Sequence, residues 1–446
     1  MSRIIATCLF GLLAIPTAAP GQVDMILVGG KVVTGDSSRP MAQAVALRGE
    51  RIRAVGTTEE IRRLAGPKSR IVDLGGRTVI PGLIDAHVHL LIAPEIVDER
   101  SLRNYERTAL PTVMSGFLSH GITTVRSTGD PLPYIVQLRE RMEQAVTGPR
   151  VVVTGPVASS PGGHPATTVC ENNAFCRQGL AREVENEAQA RQVVREVARA
   201  KVNAVKLVID DVIGRVPALS DQLVAALVDE AHRAGLRVIV HMTVANAASM
   251  TKRLVELGVD EFVHPPFDIL RIPDTADVSQ RAALLAGRNI SVTTTVSGFD
   301  AYRDSAGVER ASFGFPYSPA MHQRFDKGLT AFRVAADAGV KLVVGTDWYP
   351  TSVKFDDARL LPGAQTIHEM ELLRRGGLST SEIVTAATRN AAETLGINDK
   401  VGTIAEGKMA DLVVLDGDLL QDFSALQRPV AVLKGGRLAH GALPSR

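Results

Sequence analysis

The sequence predicts an α/β fold in which a closed (β/α)8 barrel of the TIM-like kind carries a small β-sandwich. Between residues 81 and 395, eight short apolar runs alternate with helical stretches such as 183–200 and 221–234. This alternation implies a parallel sheet, and eight strand–helix units close a barrel. Short strand-like runs at both chain ends supply the sandwich. A length of 446 residues suits a barrel-sized enzyme with an accessory domain.

The first 21 residues are predicted to be a signal peptide. Arg3 precedes an apolar run over residues 4–15, and small residues follow it. The run is too short to span a bilayer, and its flanks are those of an export signal. Cleavage after Gly21 fits better than cleavage after Ala19, which would leave a proline next; a retained apolar N-terminus is the alternative. We therefore expect an exported protein, periplasmic or secreted, with no membrane span.

The overall composition limits the classes of partner. Hydrophobic residues make up 45% of the chain and charged residues 22%, as in an ordinary globular protein. The net charge is +2 and no basic cluster stands out, so a nucleic-acid partner is not expected. The composition does not define the oligomeric state, and a homo-oligomer is compatible with it.

The cysteines agree with export. Cys8 lies inside the predicted signal, which leaves Cys170 and Cys176 as a pair in a polar loop. An oxidising compartment would allow them to form a disulfide. Two free thiols are the alternative, because the sequence does not show their geometry.

The small β-sandwich is predicted from residues 22–80 and 396–446. The first segment has short apolar runs separated by glycine turns, among them 25–28 and 31–34, and the second has a similar run at 410–415. A sheet of this size is too small to be stable alone. We therefore expect the two chain ends to pair beside the barrel, which takes residues 81–395.

The predicted barrel strands carry polar residues at their carboxyl ends. The strands are the run through His87 and the runs 123–125, 151–154, 204–209, 238–240, 261–263, 290–293 and 341–344. His87 and His89 have i, i+2 spacing and so point to one side of the first strand. His241, His264 and Asp347 end the fifth, sixth and eighth strands. Barrels of this kind keep their chemistry at this end, so these residues predict a metal site.

Lys206 lies inside the fourth apolar strand. A charged amine is costly to bury there. Spacing alone allows it to extend its amine to solvent or to pair with Asp210 or Asp211.

The sequence resembles the amidohydrolase superfamily and, within it, the imidazolonepropionase-like and prolidase-like branch. The resemblance rests on Pro81-Gly82-Leu83-Ile84-Asp85-Ala86-His87-Val88-His89 and on the segments 121–126, 345–347, 386–392, 401–404 and 407–414. It runs from about Ile26 to Leu438. The motifs are specific for the superfamily and say little about the substrate.

The resemblance implies two divalent metal ions and a carbamate formed from carbon dioxide on Lys206. One ion would be held by His87, His89 and Asp347, the other by His241 and His264, with Lys206 bridging them. Zinc fits such a site, and manganese, cobalt or iron are alternatives. Imidazolonepropionase uses one metal and has no such lysine, so Lys206 favours the two-metal, prolidase-like type.

The resemblance also implies catalytic and substrate-binding residues. Asp347 would accept the proton of a metal-bridging water and deliver it to the leaving nitrogen. His164, which ends a Gly-Gly-His segment, would bind the substrate or its reacting carbonyl; a structural role in its loop is the alternative. Arg126 and Tyr349 are further substrate-binding candidates. Ser127 stands where many relatives have an aspartate.

The implied function is metal-dependent hydrolysis of a carbon–nitrogen bond in a small amide, N-acyl amino acid or dipeptide-like substrate. A lactone, ester or cyclic-amide hydrolase would use the same hydroxide. A mononuclear deaminase does not call for Lys206, and the complete ligand set argues against a silent binding protein. His368 and Glu369, after the eighth strand, are expected to pack in a helix rather than to reach the barrel mouth.

Overall fold

The structure is a computed structural model that describes residues 23–170, 172–212, 214–242, 247–267, 274–298, 300, 325–350 and 357–444. The predicted signal peptide lies outside the described residues. The strands are β1 Met25–Val28, β2 Lys31–Val33, β3 Met41–Ala42, β4 Ala44–Arg48, β5 Arg51–Gly56, β6 Arg70–Asp73, β7 Thr78–Pro81, β8 Leu83–Val88, β9 Ile122–Ser127, β10 Arg150–Val153, β11 Val157–Ser159, β12 Ala181–Glu183, β13 Ala204–Val208, β14 Arg237–His241, β15 Glu261–Val263, β16 Ser291–Thr293, β17 Lys341–Val343, β18 Leu412–Leu415, β19 Pro429–Lys434 and β20 Arg437–Gly441.

The described helices cover the barrel and connect its strands. They are α1 Thr58–Arg62, α2 Glu99–Thr108, α3 Leu110–Ser119, α4 Tyr134–Gln144, α5 Ala174–Leu180, α6 Glu187–Arg199, α7 Asp221–Arg233, α8 Ala247–Leu257, α9 Thr275–Gly287, α10 Ala331–Asp337, α11 Ala364–Arg375, α12 Thr380–Ala386 and α13 Arg389–Thr394. Most follow an apolar periodicity that buries one face against the sheet. Among the residues described, none of these helices combines the length and the apolar character needed to cross a bilayer.

Eight parallel strands form the barrel: β8, β9, β10, β13, β14, β15, β16 and β17. The sheet closes where the Ala86 amide donates to the Val344 carbonyl at 2.9 Å, joining β8 to β17. The Asn203 amide donates to the Val153 carbonyl at 2.8 Å, between β10 and β13. The predicted (β/α)8 barrel is therefore confirmed, with its strands at the predicted runs.

Two further sheets are built from the ends of the chain. One has the strand order β5-β4-β1-β6, and the other β20-β19-β18-β7-β2-β3. In the second sheet, β7 pairs with the C-terminal β18 on one side and the N-terminal β2 on the other. Leu27, Val79 and Leu412 lie in one apolar cluster between the sheets. The two chain ends thus share one small β-structure, as their short strands require.

A disulfide closes the loop before α5. Cys170 and Cys176 are bonded, and their Cα atoms lie 5.4 Å apart. Asn173 caps α5 by accepting a hydrogen bond from the Cys176 amide at 3.0 Å. The predicted pairing is confirmed in the structure.

Candidate metal centre

The first ligand group, His87, His89 and Asp347, forms where the barrel closes. His87 lies in β8, His89 follows it, and Asp347 follows β17. The Asp347 amide donates to the His87 carbonyl at 2.8 Å, and the His89 amide donates to the Trp348 carbonyl at 2.7 Å. Residues about 260 positions apart in the sequence are thus placed side by side by backbone pairing. Asp347 has a positive φ of 59°, a strained conformation of the kind that clusters at functional sites.

The carboxylate of Asp347 lies between the two imidazoles. Its Oδ1 is 3.2 Å from Nε2 of His87 and 3.2 Å from Nε2 of His89. One ligand atom from each residue lies within 4.8 Å of the others, close enough to hold one ion. Burial would raise the pKa of Asp347, but the neighbouring histidines lower it well below its usual range. Burial lowers the pKa of His87 well below its usual range, so its ring is neutral and able to bind a metal.

Two buried aspartates support the first ligand group, and the sequence reasoning did not identify them. Asp85 accepts hydrogen bonds from the His87 amide at 3.1 Å and from the Thr366 hydroxyl at 2.7 Å. Burial raises the pKa of Asp85 to about 7. Asp130 accepts from the Leu90 amide at 2.9 Å, just after His89. The only signal for Asp85 was its place two residues before His87, on the same face of β8.

The second ligand group consists of His241 and His264, at the ends of β14 and β15. Nε2 of His264 lies 2.9 Å from Nδ1 of His241. Each ring is oriented from behind: Nε2 of His241 lies 3.2 Å from Oδ2 of Asp210, and Nδ1 of His264 lies 2.7 Å from the hydroxyl of Thr295. Burial lowers the pKa of His264 well below its usual range. Two imidazole nitrogens that face each other, each ring held through its other nitrogen, are typical of metal ligands.

The two ligand groups are neighbours. The ring centroids of His87 and His264 lie 5.3 Å apart, and those of His241 and His264 lie 4.2 Å apart. All four histidines predicted as ligands therefore converge with Asp347 at the carboxyl end of the barrel.

Lys206 lies beneath these groups in β13. It is only 2% exposed, and its Nζ has no hydrogen-bond partner among the described residues. It therefore neither extends its amine to solvent nor forms a hydrogen bond with Asp210 or Asp211, the alternatives that spacing allowed. Burial lowers the pKa of Lys206 to about 7, and its positive charge in turn lowers the pKa values of His87 and His264. A buried amine that is partly neutral near pH 7 fits the carbamate, because the neutral amine is the form that reacts with carbon dioxide.

His164 approaches the second ligand group from the loop after β11. Its ring centroid is 5.0 Å from that of His241, and its Nδ1 lies 2.5 Å from the hydroxyl of Thr168. Burial and then the neighbouring His241 lower the pKa of His164 to about 3, so its ring is neutral. The position beside the ligand groups is compatible with the predicted contact to a substrate.

Arg126, predicted to bind substrate, instead belongs to the barrel interior. It is 1% exposed, and both terminal nitrogens of its guanidinium pair with the equally buried Glu261, one of them at 2.8 Å. Its Nε donates to the Ala86 carbonyl at 2.7 Å. The guanidinium is therefore committed to a buried ion pair in the barrel interior, and this position does not support the predicted contact with a substrate. Tyr349, the other substrate candidate, is half-buried beside Asp347.

Residues 78–439 match the model of the amidohydrolase family. The chain is 26% identical over 416 residues to an imidazolonepropionase of Symbiobacterium thermophilum, a match that covers 88% of this chain and 91% of that protein. It is similar to the crystal structure of a prolidase complexed with N-methylphosphonate-L-proline, with a TM-score of 0.72, 27% identity and coverage of 93% and 98%.

The fold is also that of ochratoxinase from Aspergillus niger, with a TM-score of 0.72, 21% identity and coverage of 94% and 96%. Amidohydrolases generally use divalent metal ions, and the first ligand group fits one. The chain therefore belongs to the amidohydrolase family, on its imidazolonepropionase-like and prolidase-like branch, and is an enzyme that hydrolyses carbon–nitrogen bonds.

Proposed function

We propose that the enzyme hydrolyses the amide bond of a small N-acyl amino acid or dipeptide-like substrate at a centre of two divalent metal ions, zinc in the first instance. The observation that supports this most strongly is the environment of Lys206. Its amine is buried without a hydrogen-bond partner among the described residues, beside both ligand groups. A carbamate on this amine would convert an unsatisfied buried cation into an anionic ligand shared by two dications.

The geometry of the side chains supports a ligand assignment for both ions. The first ligand group would hold one ion, the second ligand group the other, and carbamylated Lys206 would bridge them. When bound, two divalent ions lower the pKa of a water molecule and polarise the scissile carbonyl. The histidines suit this role because burial keeps the rings of His87 and His264 neutral.

The protein's own groups handle the proton and orient the substrate. Asp347 is kept ionised by its histidine neighbours, so its carboxylate can accept the proton of the attacking water and pass it to the leaving nitrogen. His164 is neutral and beside the second ligand group, so its ring can donate a hydrogen bond to the oxygen of the reacting carbonyl. Tyr349, two residues after Asp347 and half-buried, remains a candidate for contact with the substrate. The products are a carboxylate and an amine.

The substrate class is supported by the relatives. One similar solved structure is a prolidase complexed with a phosphonate derivative of proline, and a relative over most of the chain is an imidazolonepropionase. A linear substrate is preferred here because Lys206 favours the prolidase-like type of centre.

The test is a substrate screen with defined metals. Metal-free protein is reconstituted in bicarbonate buffer with zinc, manganese, cobalt or iron, and assayed with N-acyl amino acids, dipeptides, cyclic amides and lactones. We expect two ions per chain and hydrolysis of at least one N-acyl amino acid or dipeptide, with metal-free protein as the control. A single ion per chain, or turnover of lactones alone, would contradict the proposal.

We further propose that the enzyme is exported. The N-terminal segment has the charge and apolar run of a signal, and the bonded pair Cys170–Cys176 suits an oxidising compartment. Mature protein from the producing cell should begin near Pro20 or Gln22. An intact Met1 on cytosolic protein would exclude export.

A further inference from the structure

Helix α11 carries an unusual number of buried polar side chains. Gln365, Thr366, His368 and Glu369 are all buried on it, together with apolar neighbours such as Met370. A buried polar side chain is costly unless it is hydrogen-bonded, so their partners indicate what the helix does. Three of them bond to segments that follow barrel strands, and Thr366 bonds to Asp85 within β8.

Glu369 holds the turn after β16. Its carboxylate is fully buried and accepts from the Val296 amide at 2.8 Å and from the Ser297 amide at 2.6 Å. His368, one residue earlier, binds Asp300, a helical residue that follows this turn, with 2.8 Å between Nε2 and Oδ2. Two neighbouring side chains of one helix thus hold the turn after β16 and the helical residue Asp300 that follows it.

The turn that Glu369 holds begins at Thr295, behind the second ligand group. Thr295 has a positive φ of 48°, a conformation that a β-branched residue adopts only when its surroundings impose it. Its hydroxyl lies 2.7 Å from Nδ1 of His264, whose Nε2 faces His241. A hydrogen bond donated by Nδ1 leaves the lone pair of Nε2 free for a metal ion. A Thr295 hydroxyl that accepts this bond would therefore leave Nε2 of His264 as the nitrogen able to bind a metal ion.

We propose that Glu369 is a positioning residue for the second metal ion, acting through the turn at Val296 and Ser297 and through the hydroxyl of Thr295 on His264. As a positioning residue, it would act without contacting substrate or metal. No equivalent carboxylate of α11 reaches the first ligand group within the described residues; there, Thr366 contacts Asp85 instead. The inference rests on the proposed two-metal centre and adds a residue that orients the second ligand group for metal binding.

The experiment measures stepwise Zn²⁺ affinities of metal-free protein in competition with a chromophoric chelator, in bicarbonate buffer. Glu369→Gln keeps the size of the side chain and one acceptor oxygen, but it removes the negative charge and the second acceptor oxygen, which the Val296 amide also contacts at 3.0 Å. Thr295→Val keeps the β-branched shape and removes the hydroxyl, whereas Thr295→Ser keeps the hydroxyl. Met370→Leu is the matched control for packing on the same helix.

We expect wild type, Met370→Leu and Thr295→Ser to bind two ions with similar constants. In Glu369→Gln and Thr295→Val, the tighter ion should be unaffected and the weaker ion should bind about 10–100-fold less tightly. Thermal unfolding of the metal-free proteins is recorded alongside, because a general loss of structure would weaken both ions together.

Equal weakening of both ions, or a second constant within threefold of wild type in both variants, would overturn the positioning role. If Glu369→Gln does not fold, the comparison of Thr295→Val with Thr295→Ser tests whether the Thr295 hydroxyl supports His264. Equal affinities for the second ion in these two variants would overturn the inference. Wild type that binds only one ion would instead contradict the two-metal centre itself, so the two failures are distinguishable.

Discussion

The first ligand group contains a carboxylate between its two imidazoles, whereas the second ligand group contains only imidazoles. Oδ1 of Asp347 lies 3.2 Å from both His87 and His89, so charge and geometry are supplied within the group. His241 and His264 face each other directly at 2.9 Å. A dication in the first group is partly neutralised by its own ligands, while one in the second group depends on an additional anion.

The two ligand groups also differ in the contacts that hold their side chains in place. The first group is tied into the closing strands of the barrel by backbone hydrogen bonds of His87 and His89. The second depends on side chains from other segments, namely Asp210 and Thr295. In the proposed two-metal centre, the second ion should therefore be the more easily lost, and the proposed carbamate bridge on Lys206 should matter most to it.

Removal of the bridge should have the largest effect. Lys206→Ala leaves the second group without an anionic ligand, so most bound metal should be lost and kcat/KM should fall on the order of 10³-fold or more. Lys206→Arg should fail as well, because a guanidinium stays cationic. Metal content by atomic spectrometry and steady-state kinetics measure both effects.

Acetate or propionate should restore part of the Lys206→Ala activity by occupying the vacated bridge. The control is Lys252→Ala, because Lys252 is an exposed lysine on α8 and the change should be neutral. Two metals per chain with near-normal activity in Lys206→Ala would show that the two groups do not share a carbamate.

Asp347→Asn should have the next largest effect, and mainly on turnover. The amide cannot accept the proton of the attacking water, so kcat should fall about 10²–10⁴-fold. The first ion should be partly retained because His87 and His89 remain. Metal analysis beside kcat separates the two consequences, with the exposed Asp399→Asn as a control. Unchanged kcat would remove Asp347 from the proton transfer.

Gradual chelation should separate the two groups in the wild-type protein. Because only the first group has its own carboxylate, we expect two stepwise dissociation constants that differ by roughly tenfold or more, with one ion leaving early. Titration with a chelator, followed by the electronic spectrum of the cobalt-substituted protein, resolves the steps. Simultaneous release of both ions at one concentration would mean that the two groups act as a single unit.

The smallest expected effect is on stability and concerns His368, which binds Asp300 just after the turn behind the second ligand group. Burial alone would lower its pKa, but hydrogen bonds to Asp300 and Glu371 raise the pKa to about 9, against opposition from Arg359. A raised pKa stabilises the fold fully below pH 6.5, and this contribution is lost as the pH rises from 6.5 through 9. This contribution to the free energy of unfolding is about 3 kcal/mol at most.

Denaturant unfolding of wild type and His368→Gln at pH 6 and pH 9.5 measures this contribution. The wild type should lose more stability between the two values than the variant does, because the glutamine does not titrate. Parallel pH dependence in both proteins would show that the ion pair with Asp300 does not stabilise this turn.

Local chemistry along the chain was enough to predict the barrel and its ligands. The alternation of apolar runs with helical stretches defines eight strand–helix units, and the i, i+2 spacing of His87 and His89 places both on one face. Strand ends meet at one rim of a parallel barrel, so His241, His264 and Asp347 could be placed near them without coordinates. Each of these signals lies in residues that are close together in the sequence.

Only the tertiary structure decided what surrounds those ligands. Arg126 was taken for a substrate contact, but its partner Glu261 lies 135 positions away and closes a pair inside the barrel. The sequence predicts only that Glu369 packs in a helix. The fold shows that its carboxylate accepts a hydrogen bond from the amide of Val296, 73 residues earlier, in the turn that begins at Thr295. Which nitrogen of an imidazole is free, and whether a buried charge is paired, depend on contacts between distant segments. Such contacts leave no periodic pattern in the chain, and so they become visible only once the barrel has closed.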